Sequence, residues 1–257
     1  ELILCHGIPS SGKSEVADAI MVNTNLGEKD WKWGVFSPEN YPIEYHMEKL
    51  AEKYIGKPFR GQNRMSEDQV ITAQKWMADN IYFVMPKEEE VTIEGICDII
   101  KELAQRKAIR GAIIDPINEF PVPVGNGLTE TQWLTNKLTV LRKMCRNHGL
   151  TLILVCHPTK LNKQDSGKYE GGFAPPSAYQ IAGSASFRSK ADAIFCVHRP
   201  KYGQIDEDGL VEIHVQKVKK KHLGKVGMAN IFYQFYTGQY SDKPDPNYPF
   251  NTEGFCS

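Results

Sequence analysis

Short apolar runs alternate with stretches of helical periodicity along most of the chain. Leu2-Ile-Leu-Cys-His6 is apolar at nearly every position, the pattern of a strand buried on both faces. A Gly-rich turn follows, then a helix from about Lys13 to Asn23. Trp33 to Ser37 reads as the next strand, and helical spacing of apolar residues recurs over Tyr45 to Tyr54 and Glu67 to about Asn80. Ile81 to Met85 reads as a strand, and Ile93, Ile96, Ile100 and Leu103 mark one face of a further helix. Gly111-Ala-Ile-Ile-Asp115 is a strand that ends in a carboxylate. Thr129 to His148 is a helix closed by Gly149, a residue favoured just past a helix C-terminus. Leu152 to His157 is another buried strand. A loop rich in Lys, Gly and Pro runs from Pro158 to about Ser177, and Ala193–Val197, Leu210–Val218 and Ala229–Tyr236 complete the strands.

Strands separated by helices predict an α/β fold: a mainly parallel sheet flanked by helices, with antiparallel strands toward the C-terminus. No convincing linker interrupts the pattern, so residues 1–240 read as one domain. Residues 241–257, rich in Pro and Asn, read as an extended or disordered tail. The chain starts at Glu1, inside an apolar run and without an initiator Met, as a piece of a longer polypeptide would.

Composition narrows the classes. Hydrophobic residues make up 41% of the 257 and charged residues 24%, ordinary proportions for a globular protein. No apolar run approaches the roughly 20 residues that span a bilayer, so no membrane partner is expected. Lys plus Arg and Asp plus Glu both total 31, which excludes a uniformly basic nucleic-acid binder but leaves room for a local basic patch. The six cysteines are scattered, with no C-x-x-C and no Cys/His cluster. That usage points away from zinc and disulfides, toward reduced thiols in a cytoplasm.

Gly7-Ile-Pro-Ser-Ser-Gly12-Lys13-Ser14 fits the phosphate-loop pattern G-x-x-x-x-G-K-[ST] at every required position. Glycines let the backbone curl so that its N–H groups, those of Gly7, Ser10, Ser11 and Gly12 among them, point at one phosphate, and the following helix adds positive potential. Lys13 would reach the β/γ-phosphates of ATP or another nucleoside triphosphate, and the Ser14 hydroxyl would ligate Mg²⁺. Such a loop needs a second carboxylate at the end of a neighbouring strand for the metal shell, and Asp115 is the candidate. Glu39, in Phe36-Ser-Pro-Glu-Asn40 just past the second strand, is the candidate base for orienting water; a residue near a helix start is the other reading of it.

In this order and spacing the motifs resemble one family, the RecA-like hexameric helicases of the DnaB, Twinkle and bacteriophage primase-helicase group. The resemblance runs from the first strand to about Tyr236. It implies a RecA-like ATPase fold, with ATP bound at the subunit interfaces of a hexameric ring and hydrolysed to move along single-stranded DNA and unwind duplex. It implies that Lys13 and Ser14 bind nucleotide and metal, that Asp115 is the Walker B carboxylate, and that Glu39 of Ser37-Pro38-Glu39 is the catalytic base. His157, in Val-Cys-His-Pro-Thr-Lys160, matches the residue that senses the γ-phosphate. Lys160, Lys163 and Lys168 fall in the loop that holds DNA, and Gly183, Ser184 and Arg188 in a helix that helps bind it. Arg199 matches an Arg placed against the base. Lys219 and Lys221, before Gly224-Lys-Val-Gly227, match the pair that reaches the neighbouring subunit's γ-phosphate.

This sequence has Lys221 where relatives have the finger Arg, and Ser189 where they have a Gln. Pro116, Asn118 and Glu119 follow the Walker B strand with no assigned role. The resemblance further implies a homo-oligomer, a primase domain or partner, and a bacterial or phage-encoded cytoplasmic protein. Two readings stand beside it: a RecA/RadA-type recombination ATPase that coats DNA, and a nucleotide-binding interaction module with little turnover. A small-molecule kinase fits less well, since the chain has no Arg-rich lid.

Overall fold

The computed structural model describes residues 1–29, 31–86, 91–120, 129–159, 163–164, 167–169, 172–181, 184–204 and 208–245. Within them, β1 (Leu2–His6), β2 (Trp33–Phe36), β3 (Ile81–Phe83), β4 (Gly111–Ile114), β5 (Thr151–Cys156) and β6 (Ala193–His198) are parallel, and β7 (Leu210–Val218), β8 (Gly227–Gln234) and β9 (Gln239–Ser241) are antiparallel. They form one sheet in the order β3-β2-β4-β5-β1-β6-β7-β8-β9. The helices are α1 (Lys13–Thr24), α2 (Ile43–Ile55), α3 (Glu67–Asn80), α4 (Ile93–Lys107), α5 (Glu130–His148) and the short α6 (Ser184–Lys190).

Successive strand residues point to opposite faces, and the sheet therefore carries two cores. Leu2, Leu4, Ala112, Ile114, Leu152 and Leu154 pack with Ile96 and Ile100 of α4 and Leu138 and Leu141 of α5. Their neighbours Cys5, Ile113, Ile153 and Val155 pack on the other face with Val16 and Met21 of α1, Leu50 of α2 and Trp76 and Met77 of α3. This double burial explains why β1, β4 and β5 read as continuous apolar runs rather than alternating ones.

Local chemistry sets the helix ends. Ser66 and Gln69 form a capping box at α3, Thr129 and Gln132 form another at α5, and the Thr92 hydroxyl accepts from the Gly95 N–H at α4. Differences from the expected boundaries are small. β3 stops at Phe83, and β8 runs from Gly227 to Gln234. Strand β9 lies outside the expectation, because three residues are too few to show a period. It returns through a turn in which Gly238 has φ +63°. Asp245 beyond β9 is buried, and residues 246–257 lie outside the described part of the chain.

Parallel register fixes where the loops emerge. Phe36 pairs with Ile114, Ile114 with Leu154, and His6 with both Cys156 and Cys196. The segments after β1, β2, β4, β5 and β6 therefore leave the same edge of the sheet, the carboxyl edge where open α/β sheets bind ligands.

Candidate nucleotide-binding site

The loop between β1 and α1 is built by close approach. Gly7 has φ +156°, and a Cβ there would sit 2.3 Å from the Val197 carbonyl oxygen of β6, so a side chain would push the loop off the sheet. Gly12 adopts φ +86° and starts α1. The Lys13 ammonium is buried inside the curl, donating to the carbonyls of Gly7 (3.1 Å) and Ile8 (3.0 Å). Burial lowers its pKa, partly offset by Cys5, Asp115 and Glu39. The Ser11 hydroxyl is buried with no hydrogen-bond partner among the described residues. A curled backbone, a buried ammonium and an orphaned hydroxyl at a helix start fit a phosphate group.

Asp115 ends β4 beside this loop. Its N–H donates to Phe36 O at 2.9 Å, which ties the carboxylate-bearing residue to the end of β2, and its side chain accepts from the Ser14 hydroxyl. Only 3% of Asp115 is exposed. Burial pushes its pKa up to about 6; the Ser14 bond works against that shift, while Asp18 and Glu39 add to it. A buried carboxylate and a hydroxyl already in contact are an oxygen donor set suited to a hard cation such as Mg²⁺.

Glu39 lies in a turn closed by Asn40 N–H to Ser37 O (3.2 Å) and by the Asn40 side chain to Ser37 Oγ (2.7 Å). Half-exposed, it places Oε1 3.7 Å from Nε2 of His157, which follows β5. The His157 N–H donates to Asn118 Oδ1 at 3.3 Å. Asn118, without a role on sequence grounds, thus holds the end of β5 against the turn after Asp115.

Polar contacts behind the loop go beyond the sequence expectations. Burial alone would raise the Glu15 carboxyl, but Lys53 and Lys49 overcome it and hold it down at about 2. Lys53, itself buried, also donates to Gly238 O at 2.8 Å, so one ammonium joins α1, α2 and the β8–β9 turn. Asp18 and His46, both 2% exposed, meet at 3.0 Å and join α1 to α2 a second time. The available signal is charge on inward positions: Glu15 and Asp18 share the face of Val16 and Ala19, and Lys49 and Lys53 are one turn apart.

The other expected residues fall in separate places. Arg199 leaves β6 at the same edge as the loop, its guanidinium 4.3 Å from the Tyr202 ring centroid. Tyr240 of β9 also reaches this edge, its hydroxyl 3.6 Å from where a Gly12 Cβ would stand. Lys163 is exposed, whereas the Lys168 ammonium lies 2.7 Å from Glu212 Oε1. Ser184 opens α6, and Arg188 in the same helix stacks on Tyr179 at 3.6 Å. The Ser189 hydroxyl donates to Ser186 O. Lys160 and Gly183 lie outside the described residues.

Lys219 and Lys221 are at the opposite edge. β7 runs antiparallel to β6 and pairs Val218 with Ala193, so both lysines emerge where the parallel strands begin. Lys219 Nζ is 3.8 Å from Asp192 Oδ1, and Lys221 is exposed in a 3₁₀ turn. Six residues of β6, at about 3.3 Å each, put roughly 20 Å between them and their own chain's phosphate loop. Among the described residues no helix is long and apolar enough to cross a membrane, and no three His, Cys, Asp or Glu side chains gather as a metal site.

The sheet order and the loop after β1 define a RecA-like P-loop ATPase fold. Solved structures share it, three of them as follows. One is a solved ATPase domain (TM-score 0.74, 17% identity, 94% of this chain and 84% of that one). The others are a DnaB-like replicative helicase described with its interactions with primase (0.72, 17%, 93% and 57%) and the RadB recombinase (0.60, 12%, 94% and 90%). The chain belongs to the DnaB-like helicase C-terminal domain family, whose model matches residues 1–242. It is 35% identical over 251 residues to the Twinkle homolog protein, chloroplastic/mitochondrial, of Arabidopsis thaliana, a match covering 95% of this chain. It spans about a third (34%) of that relative's length.

Proposed function

We propose that this domain is the ATP-driven motor of a replicative DNA helicase, hydrolysing ATP at the interfaces of a homo-oligomeric, hexameric ring to move along single-stranded DNA. The observation that supports it best is the convergence of Lys13, Ser14, Asp115, Glu39 and His157 from four strands on one sheet edge, with Lys219 and Lys221 on the other. A site with that layout is incomplete within one chain and complete between two.

In this reading the loop amides, Lys13 and the Ser11 hydroxyl hold the triphosphate, while Ser14 and Asp115 hold Mg²⁺. The ion, when bound, neutralises charge that develops on the phosphate oxygens. Glu39 accepts a hydrogen bond from water and aims it in line with the γ-phosphorus. His157 contacts Glu39 and opens the loop that contains Lys163, so it relays the state of the phosphate to the DNA side. Arg199 stacks on the base. Lys163, Lys160 and the α6 segment with Gly183, Ser184 and Arg188 hold the DNA backbone, which suits a motor that must not stop at particular sequences.

Lys219 and Lys221 supply positive charge to the neighbour's γ-phosphate, Lys221 without the two-pronged geometry of an arginine. A primase domain or partner completes the assembly, a reading supported by the DnaB-like neighbour described with primase. The compartment is a reducing one, where the five buried free thiols Cys5, Cys97, Cys145, Cys156 and Cys196 persist, and the organellar relative makes organelles as suitable as a bacterial or phage-infected cytoplasm.

ATP turnover measured with and without single-stranded DNA, beside Lys13→Ala and Glu39→Ala, tests the proposal. Turnover that DNA stimulates and both variants abolish supports the motor. Nucleotide binding with no DNA-dependent turnover overturns it in favour of a binding module.

A further inference from the structure

The loop after β5 returns to the sheet through one carboxylate. Glu212 of β7 is 2% exposed and receives three donors: Lys168 Nζ on Oε1 (2.7 Å), Tyr169 OH on Oε2 (3.0 Å) and His214 Nε2 on Oε2 (2.9 Å). Burial pushes the Glu212 pKa up, yet these hydrogen bonds leave it below the ordinary carboxylate range. The Tyr169 ring stands edge-on to His198 at 5.1 Å, and His198 is the β6 residue paired in register with Glu212. A buried carboxylate held by donors from a long loop is costly to break, because removing a donor leaves charge without water. The Lys168 side chain remains 62% exposed, but its charge is already matched by the Glu212 carboxylate.

We propose that Glu212 is a positioning residue for DNA binding: it clamps the loop after β5 to β7 through Lys168 and Tyr169. The loop then moves with the strand whose far end leads to Lys219 and Lys221. This rests on the DNA-motor reading and deepens it, since Lys168 serves DNA mainly by holding the loop on Glu212, where its charge is already paired.

Two measurements on the same proteins test the clamp. The first is amide hydrogen exchange of residues 163–181 in the protein, Glu212→Gln and Tyr169→Phe, which needs no DNA. The second is the affinity for a (dT) oligonucleotide at several salt concentrations, with Lys168→Ala and Lys163→Ala added. Loss of a charged hydrogen bond predicts about tenfold faster exchange in the loop and a several-fold weaker oligonucleotide affinity in both clamp variants. Lys168→Ala weakens binding with the salt slope unchanged, whereas Lys163→Ala lowers the slope by about 0.7, the value for one lost single-strand phosphate contact.

Unchanged exchange in both clamp variants overturns the proposal. So does faster exchange with unaltered DNA affinity, or a slope change in Lys168→Ala equal to that of Lys163→Ala. If Glu212→Gln does not fold, Tyr169→Phe, which removes one hydroxyl, decides. A wild-type protein that binds no oligonucleotide defeats the motor reading, and the exchange measurement then decides the clamp by itself.

Discussion

His157 and Glu39 meet at 3.7 Å although their strands are not neighbours: β5 and β2 lie on either side of β4. The pair therefore arches over Asp115, which ends β4 between them. The arch has a fixed footing on each side, since His157 is tied through its N–H to Asn118, and the Glu39 turn is closed by Asn40 on Ser37. A carboxylate placed above the metal-shell candidate and braced by an imidazole is suited to orienting water.

Glu39→Gln keeps the size and polarity of the side chain and removes its basicity. Turnover is expected to fall about 10²- to 10⁴-fold, the usual contribution of a general base, while nucleotide affinity stays within about threefold. His157→Ala is expected to cost less basal turnover but to erase the stimulation by single-stranded DNA. Steady-state ATPase assays beside nucleotide titrations check both. A Glu39→Gln protein that still turns over at the wild-type rate removes Glu39 from the chemistry.

Lys221 and Lys13 stand at opposite edges of one sheet, so they can serve one nucleotide only if it lies between two chains. A mixing experiment follows from that geometry. Lys13→Ala and Lys221→Ala are each expected to lose most turnover alone, by about tenfold or more for Lys221→Ala if its charge acts in the transition state. Mixed and reassembled, they regenerate interfaces in which an intact loop faces an intact Lys221, and part of the turnover returns. No recovery at any mixing ratio, under conditions where the chains assemble, would show that Lys221 acts within its own chain or not at all.

The same edges explain what is legible in the sequence and what is not. Strands buried on both faces leave unbroken apolar runs, and Leu2–His6, Gly111–Asp115 and Leu152–His157 are legible for that reason. The phosphate loop is legible because its glycines answer a backbone demand, visible in the 2.3 Å approach of a Gly7 Cβ to Val197 O. Asn118, Asp18, His46 and Glu212 are not, because each works through a partner distant in sequence: 39 residues for Asn118 with His157, 28 for Asp18 with His46, 44 for Glu212 with Lys168. Lys168 is legible only in part: its side chain is largely exposed, as a lysine in a polar loop should be, but the carboxylate it pairs with lies 44 residues away.

Lys53 gives a stability prediction. Lys53 is 3% exposed and its ammonium joins Glu15 to Gly238 O, so Lys53→Met leaves the partly buried Glu15 with Lys49 as its remaining cation. Breaking one partner of a fully buried pair costs about 3–5 kcal/mol, and Lys49 together with the partial exposure of Glu15 brings the loss to the lower figure or below it. Urea unfolding is expected to show the loss as a lower midpoint with an unchanged m-value. The double change Glu15→Leu with Lys53→Met should recover much of it, because no partly buried carboxylate is then left short of a partner. A double variant as unstable as the single one would locate the cost in the packing of Lys53 on the Tyr233 ring of β8, 5.9 Å from its Nζ, instead.

His6 and His198 govern the acid side of stability. His6 is fully buried, with Nε2 3.0 Å from Gln216 Oε1 and Nδ1 without a partner among the described residues; His198 is 1% exposed with neither ring nitrogen partnered among them. Burial pushes both pKa values down to about 4, against an ordinary value of about 6.5. For His6 the Gln216 contact opposes the shift and Lys13 reinforces it; for His198 Glu212 opposes, while His214 and Lys168 reinforce. Between those two pH values the unfolded chain binds protons at these sites that the folded chain does not. The contribution of these two sites therefore rises with pH across the window: it is fully present above about pH 6.5 and is lost as pH falls toward 4, by at most about 3 kcal/mol for each site. Asp115, raised to about 6, works in the opposite sense below that pH. His198→Phe fills the same apolar space without a titrating group. Its unfolding free energy is expected to depend on pH less than half as steeply as the wild type's between pH 6.5 and 4, because Asp115 offsets part of what His6 still contributes, measured by urea titration at closely spaced pH. An unchanged slope in His198→Phe would mean that its imidazole gains no proton on unfolding, and that the acid instability arises at His6 and the carboxylates.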